Sequence, residues 1–131
     1  MAFQCVLVTP EQQVLEEKVV QVILPAHDGE IGILTDRAPL LVKLGVGALR
    51  LDLVSGQKRI LFIDAGIAQM KDNQLTILTN QATPPEELNI ESGKAEFNEA
   101  VARKITDEKS FEQRDHALRR GRAIQELAGK R

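Results

Sequence analysis

The chain has no tryptophan, no tyrosine and only four phenylalanines in 131 residues. Proteins that hold single-stranded nucleic acid stack bases on aromatic rings, so this scarcity places nucleic acid last among the partners a basic segment could attract. One cysteine, Cys5, leaves nothing for an internal disulfide or a multi-cysteine metal site, and within an apolar run it reads as a small core residue. Neither His27 nor His116 has a second His, Cys or carboxylate at ligand spacing, so no metal site is predicted. No apolar run approaches the roughly 20 residues of a membrane helix, and direct insertion into a bilayer is not expected. The N-terminal MAFQCVLVTPEQQ lacks a basic n-region, a long apolar h-region and transit character, which leads to the expectation of a cytoplasmic, bacterial product. Catalytic signatures are missing too: there is no GxSxG, no cysteine beside a plausible base and no strand-end acid pair. Gly45-Val46-Gly47 is not followed by the lysine and helix of a phosphate loop. The expectation is a non-enzyme without a cofactor.

What is there is an ordinary globular composition, 43% hydrophobic and 27% charged, in a length that fits one domain or two small ones. From Phe3 to Thr79 short apolar runs alternate with turn signals. Phe3, Cys5 and Leu7 share a face; Val14-Leu15 and Val19–Leu24 follow, the latter stopping at Pro25, which has no N–H for a ladder. Asp28-Gly29 and Ser55-Gly56 are turns. ALRLDLV places Leu49, Leu51 and Leu53 inward with Arg50 and Asp52 in water. Arg59–Ile63 and Ile67–Met70 read as separate strands around Ala65-Gly66, and Leu75 to Ile77 closes the series after a turn at Asp72-Asn73. Gly45, Gly47 and Gly66 are read as bulges or bends. This spacing predicts an antiparallel β-sandwich or flattened barrel over residues 1–84.

Thr83-Pro84-Pro85 ends the strand pattern, and the boundary is placed there. Over 85–131 the period becomes helical. Glu86-Glu87 is read as a solvated acidic pair opening the helical part. Ile90, Phe97, Val101 and Ile105 form one expected face behind an Asn89 N-cap. After a polar connection over Thr106–Ser110, Ser110 with Gln113 gives a capping-box pattern for a second helix. Ala117, Gly121, Ile124 and Ala128 make its apolar stripe, with Leu118 and Leu127 adjacent. The fold class is therefore α+β, a β-sandwich followed by an antiparallel two-helix hairpin with few large apolar residues. Such a hairpin is marginal by itself and suits a mobile element. Its charge is also distinct. Residues 111–131 carry six basic against three acidic residues, although the whole chain is −2. A stripe of that kind suits an anionic membrane surface or an acidic protein partner.

The stretch VVQVILPAHDGEIGILTDRAPLLV (Val19 to Val42) resembles the ε subunit of the F-type ATP synthase, whose mitochondrial equivalent is called δ. The family pattern runs approximately LPGxxGExGVLPGHAPLL. Leu24-Pro25, Gly29-Glu30, Gly32-Ile33-Leu34 and Ala38-Pro39-Leu40-Leu41 fall on it in register, with Arg37 where the family usually has His. Phe62–Met70 resembles the family's xVSGGFxEV segment and Leu75–Thr79 its VTVLA strand. The resemblance is strong over residues 1–84 and weaker after that.

The resemblance implies a non-catalytic subunit of the central rotor stalk at the cytoplasmic face of the membrane, peripheral to it. Its β-domain would contact the γ subunit and the ring of c subunits through Glu30, Asp36, Arg37, Ala38, Pro39, Leu40 and Leu41. Arg in place of His at position 37 fixes a charge that does not titrate physiologically. Arg114, Arg119, Arg120 and Arg122 correspond to the basic last helix, which in the family can extend among the catalytic αβ subunits and block ATP hydrolysis. On the residues alone, the preferred reading of these arginines is a solvated helix face. Some members bind ATP through Ile/Leu-Asp-x-x-Arg-Ala; here Leu88 is followed by Asn89, and Ser92 and Gly93 replace Arg and Ala, so nucleotide binding is expected to be weak or absent. The alternative from another class is a stand-alone nucleotide- or ligand-sensing β-domain with a helical lid.

Overall fold

A computed structural model describes residues 2–26, 28–35 and 38–128 of the chain. It divides into two compact units, Met1–Ala82 and Thr83–Arg131.

The first unit is a sheet that closes on itself. Strands β1 (Phe3–Val8), β2 (Gln13–Ala26), β3 (Gly29–Leu34), β4 (Leu40–Leu53), β5 (Lys58–Lys71) and β6 (Gln74–Thr79) are ordered β1-β6-β5-β4-β2-β3, and β1 also pairs with β2. Five strands thus form a flattened ring, with β3 laid on the outer edge of β2. All these pairings are antiparallel except β1 with β6, which is parallel. Alternation decides what goes inside: Phe3, Cys5 and Leu7 from β1, Leu49, Leu51 and Leu53 from β4, and Leu75 and Ile77 from β6 are all buried. Ala82, in the short strand β7 (Ala82–Thr83), packs against the same core.

Three strands are longer than the turn signals suggest. Val14-Leu15 and Val19–Leu24 belong to one 14-residue strand, which runs through Pro25 to Ala26. Pro25 is tolerated because the β2–β4 ladder is broken there, with Ile23 opposite Arg50 and the next pair being Ala26 with Leu44. A Cβ at Gly47 would lie 3.1 Å from Pro25 Cβ, so the glycine makes room for the ring. β4 likewise begins at Leu40, well before the alternating ALRLDLV.

Arg59–Ile63 and Ile67–Met70 are likewise one strand, β5, which bends at Ala65-Gly66 without losing register with β4. Ala65 has φ 60° and Gly66 φ 126°. At Gly66 a side chain is blocked twice over: the backbone angle disfavours it, and a Cβ would collide with the Leu78 carbonyl oxygen and lie 2.8 Å from Thr79 Cα. The Thr79 hydroxyl, buried, donates to the Ala65 carbonyl at 2.6 Å and holds the bend.

The second unit contains a 3₁₀ turn (Pro85–Glu87), α1 (Ile90–Ala102) and α2 (Glu108–Ala128). Asn89 caps α1, its Oδ1 accepting from the N–H groups of Glu91 (2.8 Å) and Ser92 (3.4 Å). The cap of α2 differs from the expected Ser110-Gln113 pair. Asp107 Oδ1 accepts from Ser110 N–H at 2.7 Å, while Ser110 Oγ accepts from the Asp107 and Thr106 N–H groups at 3.0 and 2.8 Å. Ser110 is therefore the inner half of a reciprocal cap, and the helix starts nearer Asp107. The face of α1 also differs: Ile90, Val101 and Ile105 are exposed, whereas Gly93 and Ala100 are buried. The interhelix contact selects small residues that let the backbones approach, and of the expected apolar face only Phe97, half-buried, lies at it. On α2 the buried residues are Gly121, Ile124, Leu127 and Ala128, in keeping with the stripe read from the sequence.

Candidate functional site

Two surfaces carry the expected site residues. On the sheet unit, Glu30 is exposed on β3, opposite Pro25 of β2. Ala38 and Pro39 are exposed in the connection that enters β4, Leu40 is half-buried, and Leu41 is 67% exposed. Asp36 and Arg37 lie outside the described residues, as does His27. A feature that motif reading missed adjoins Leu41. Val8, Leu78, Ile67 and Lys43 are successive cross-strand partners, so they form a row on the outer face of β1, β6, β5 and β4. With Leu41 they line an open groove of about 700 Å³. Leu41, Ile67 and Leu78 are large apolar side chains left in water, gathered on one face rather than scattered singly. The signal was present as outward-facing apolar residues in strands whose other face already filled the core.

On the helical unit, three of the four expected arginines reach α1. Arg120 Nε lies 3.2 Å from Glu96 Oε2 in a half-buried ion pair. The Arg122 guanidinium stands 5.7 Å from the Phe97 ring centroid, and Arg114 Nη2 is 3.5 Å from the Val101 carbonyl oxygen. Arg119 instead pairs along its own helix with Asp115 at 3.0 Å, exposed to solvent. Between the helices a groove of about 590 Å³ is lined by Glu96, Glu99, Arg103, Glu112, His116 and Arg120.

The positions that stand where other members carry a nucleotide motif are occupied with structure. Leu88 is buried, Asn89 and Ser92 form the cap, and Gly93 is at the helix crossing. Cys5 is fully buried, which pushes its thiol pKa from 9.0 up to about 12 and leaves it protonated and unreactive.

Comparison with known proteins decides the family. Residues 2–85 match the family described as ATP synthase, Delta/Epsilon chain, beta-sandwich domain. The ATP synthase epsilon chain of Rhodopirellula baltica is 38% identical over 93% of this chain and 94% of its own length. The chain belongs to the ATP synthase epsilon chain family. A second relative, the epsilon chain of Rippkaea orientalis, is 33% identical over 98% of both chains. A chain in the mitochondrial ATP synthase of Euglena gracilis superposes with a TM-score of 0.82 at 26% identity, covering 93% of this chain and 78% of that one. As an epsilon chain, the protein is a non-catalytic subunit of the F-type ATP synthase. That makes it a component of a membrane-associated complex rather than a stand-alone sensor. Among the described residues no helix is long and apolar enough to cross a membrane.

Proposed function

We propose that the chain couples the rotor through its sheet unit and restrains ATP hydrolysis through α2. In this reading the sheet unit docks on the γ subunit and on the c ring at the cytoplasmic face of the membrane. Glu30 and residues 36–41 supply the polar and loop contacts, and the Leu41–Ile67–Leu78 groove buries apolar surface against a stalk neighbour. The observation that carries the reading is the continuity of Leu41 with that exposed apolar row: a loop end and a sheet face offer a single surface.

The helical unit acts separately. Arg114, Arg119, Arg120 and Arg122 would enter a partly desolvated acidic cleft among the α and β catalytic subunits, where each charge-assisted contact is worth about 1.5–3 kcal/mol before desolvation is subtracted. Nucleotide has no part in this reading. Asn89, Ser92 and Gly93, at the positions of the nucleotide motif, form the cap of α1 and the helix crossing, and none supplies the charge-assisted phosphate contact of an arginine.

One reconstitution tests both halves. Complex is assembled with the full chain, with Arg119, Arg120 and Arg122 all changed to Ala, or with a chain ending at Pro85, and both retention on the washed complex and hydrolysis rate are read. Equal retention is expected, with faster hydrolysis for the triple variant and at least as fast for the truncated chain. Loss of retention on truncation would remove the sheet-docking reading, and three equal rates at equal retention would remove the restraint.

A further inference from the structure

α2 spends a glycine in its interior, between two arginines, where other residues form helix better. The reason lies in how closely the helices cross. A Cβ on Gly121 would sit 2.8 Å from Phe97 N, 2.9 Å from the Gly93 carbonyl oxygen and 3.0 Å from Phe97 Cα, all backbone atoms that cannot swing aside. A Cβ on Gly93 would meet Ile124 Cγ2 at 2.9 Å and the Gly121 carbonyl oxygen at 3.1 Å. The flanking arginines exploit this approach. Arg120 reaches Glu96 and Arg122 covers Phe97, both within the turn of α1 that Gly121 touches, and Arg114 reaches the Val101 carbonyl further along. Three of the four arginines assigned to restraint are therefore engaged inside the closed hairpin.

We infer that the Gly93–Gly121 crossing is a latch that needs no ligand: backbone packing at these two glycines keeps the hairpin closed and the arginines of α2 turned onto α1. The inference rests on the restraint reading above for its consequence, though not for its mechanics. Gly121→Ala should push in one direction twice, raising the helix propensity of α2 on its own and forcing it away from α1. Glu96→Gln removes the charge of the ion pair without touching the crossing, and the amide oxygen it leaves can still accept from Arg120.

The test uses the full chain carrying Cys5→Ser, Glu91→Cys and Glu126→Cys, with spin labels on the two exposed new cysteines and the interlabel distance distribution as readout. The parent should give one short distance. Gly121→Ala should raise the ratio of long to short distances about tenfold, the size expected of a modest steric penalty, with helix content by circular dichroism kept. Glu96→Gln should shift it far less. An unchanged distribution for Gly121→Ala overturns the latch; so does a shift for Glu96→Gln as large as that for Gly121→Ala, which would make the closure electrostatic. Loss of helix content on opening also overturns it, since the glycines would then sustain the helices rather than switch them. In assembled complex the opened Gly121→Ala chain should slow ATP hydrolysis. Opening without slowing would leave the latch standing and refute the restraint reading.

Discussion

Gly66→Ala is the substitution for which the sheet unit makes its sharpest demand, and Gly56→Ala supplies its control. Both glycines have φ in the region that L side chains rarely adopt, 126° and 95° respectively, so an alanine at either should cost about 1–3 kcal/mol in backbone strain. They differ in what surrounds the new methyl. At Gly56 nothing lies within 4 Å, whereas at Gly66 the methyl runs into the backbone of Leu78 and Thr79 on the neighbouring strand. Displacing a paired strand adds an overpacking cost of about 1–3 kcal/mol. Gly66→Ala should therefore destabilise by about 2–6 kcal/mol, a large share of the roughly 5–15 kcal/mol that a domain possesses. Urea unfolding of the full chain, followed by circular dichroism at the strand band and by hydrogen exchange of the β5 and β6 amides, measures both variants. The reasoning is refuted if Gly66→Ala is no more destabilising than Gly56→Ala, because the difference between them is the collision alone.

Two further outcomes are expected. Glu30→Lys should lower ATP-driven ion pumping relative to hydrolysis in assembled complex, while the melting temperature of the isolated chain hardly moves, since an exposed substitution changes stability by about 0.5 kcal/mol or less; normal pumping would reduce Glu30 to a turn residue. Burial holds the Cys5 thiol at about 12, above its ordinary 9.0, so the unfolded chain loses this proton first. Stability from this group is thus intact below pH 9.0 and is lost as pH rises toward about 12. The difference between parent and Cys5→Ala in urea titrations should change over that window and stay constant below it.

Much of the sheet could be read from alternation, because burial on one face imposes period two: Phe3, Cys5 and Leu7 and the leucines of ALRLDLV all lie where that period puts them. Strand length could not. Pro25 and Ala65-Gly66 are breakers by local chemistry, yet a broken ladder beside Pro25 and the Thr79 hydroxyl under Ala65 let each strand continue, and both supports come from distant parts of the chain. In the helices, Asn89 announced its cap, while the interhelix face of α1 was hidden because it is built from what is small. The arginines of α2 were legible as a charge stripe. Their partners Glu96 and Phe97 were not, since only the crossing at Gly93 and Gly121 selects them.

The parallel pairing of β1 with β6 sets a timetable for synthesis. β1 finds one neighbour at once, because β2 follows after a short turn. Its other neighbour is seventy positions away, Gln4 opposite Gln74 and Val8 opposite Leu78. At roughly 5–20 residues per second, a translating ribosome leaves that edge of β1 open for about 4–14 seconds before β6 emerges. Throughout that interval the nascent chain displays an unpaired strand whose alternate side chains are apolar, the kind of template that recruits a neighbouring copy. The last strand of the ring is thus what makes the first one safe, and a chain interrupted before Thr79 should aggregate where a chain interrupted after it remains soluble.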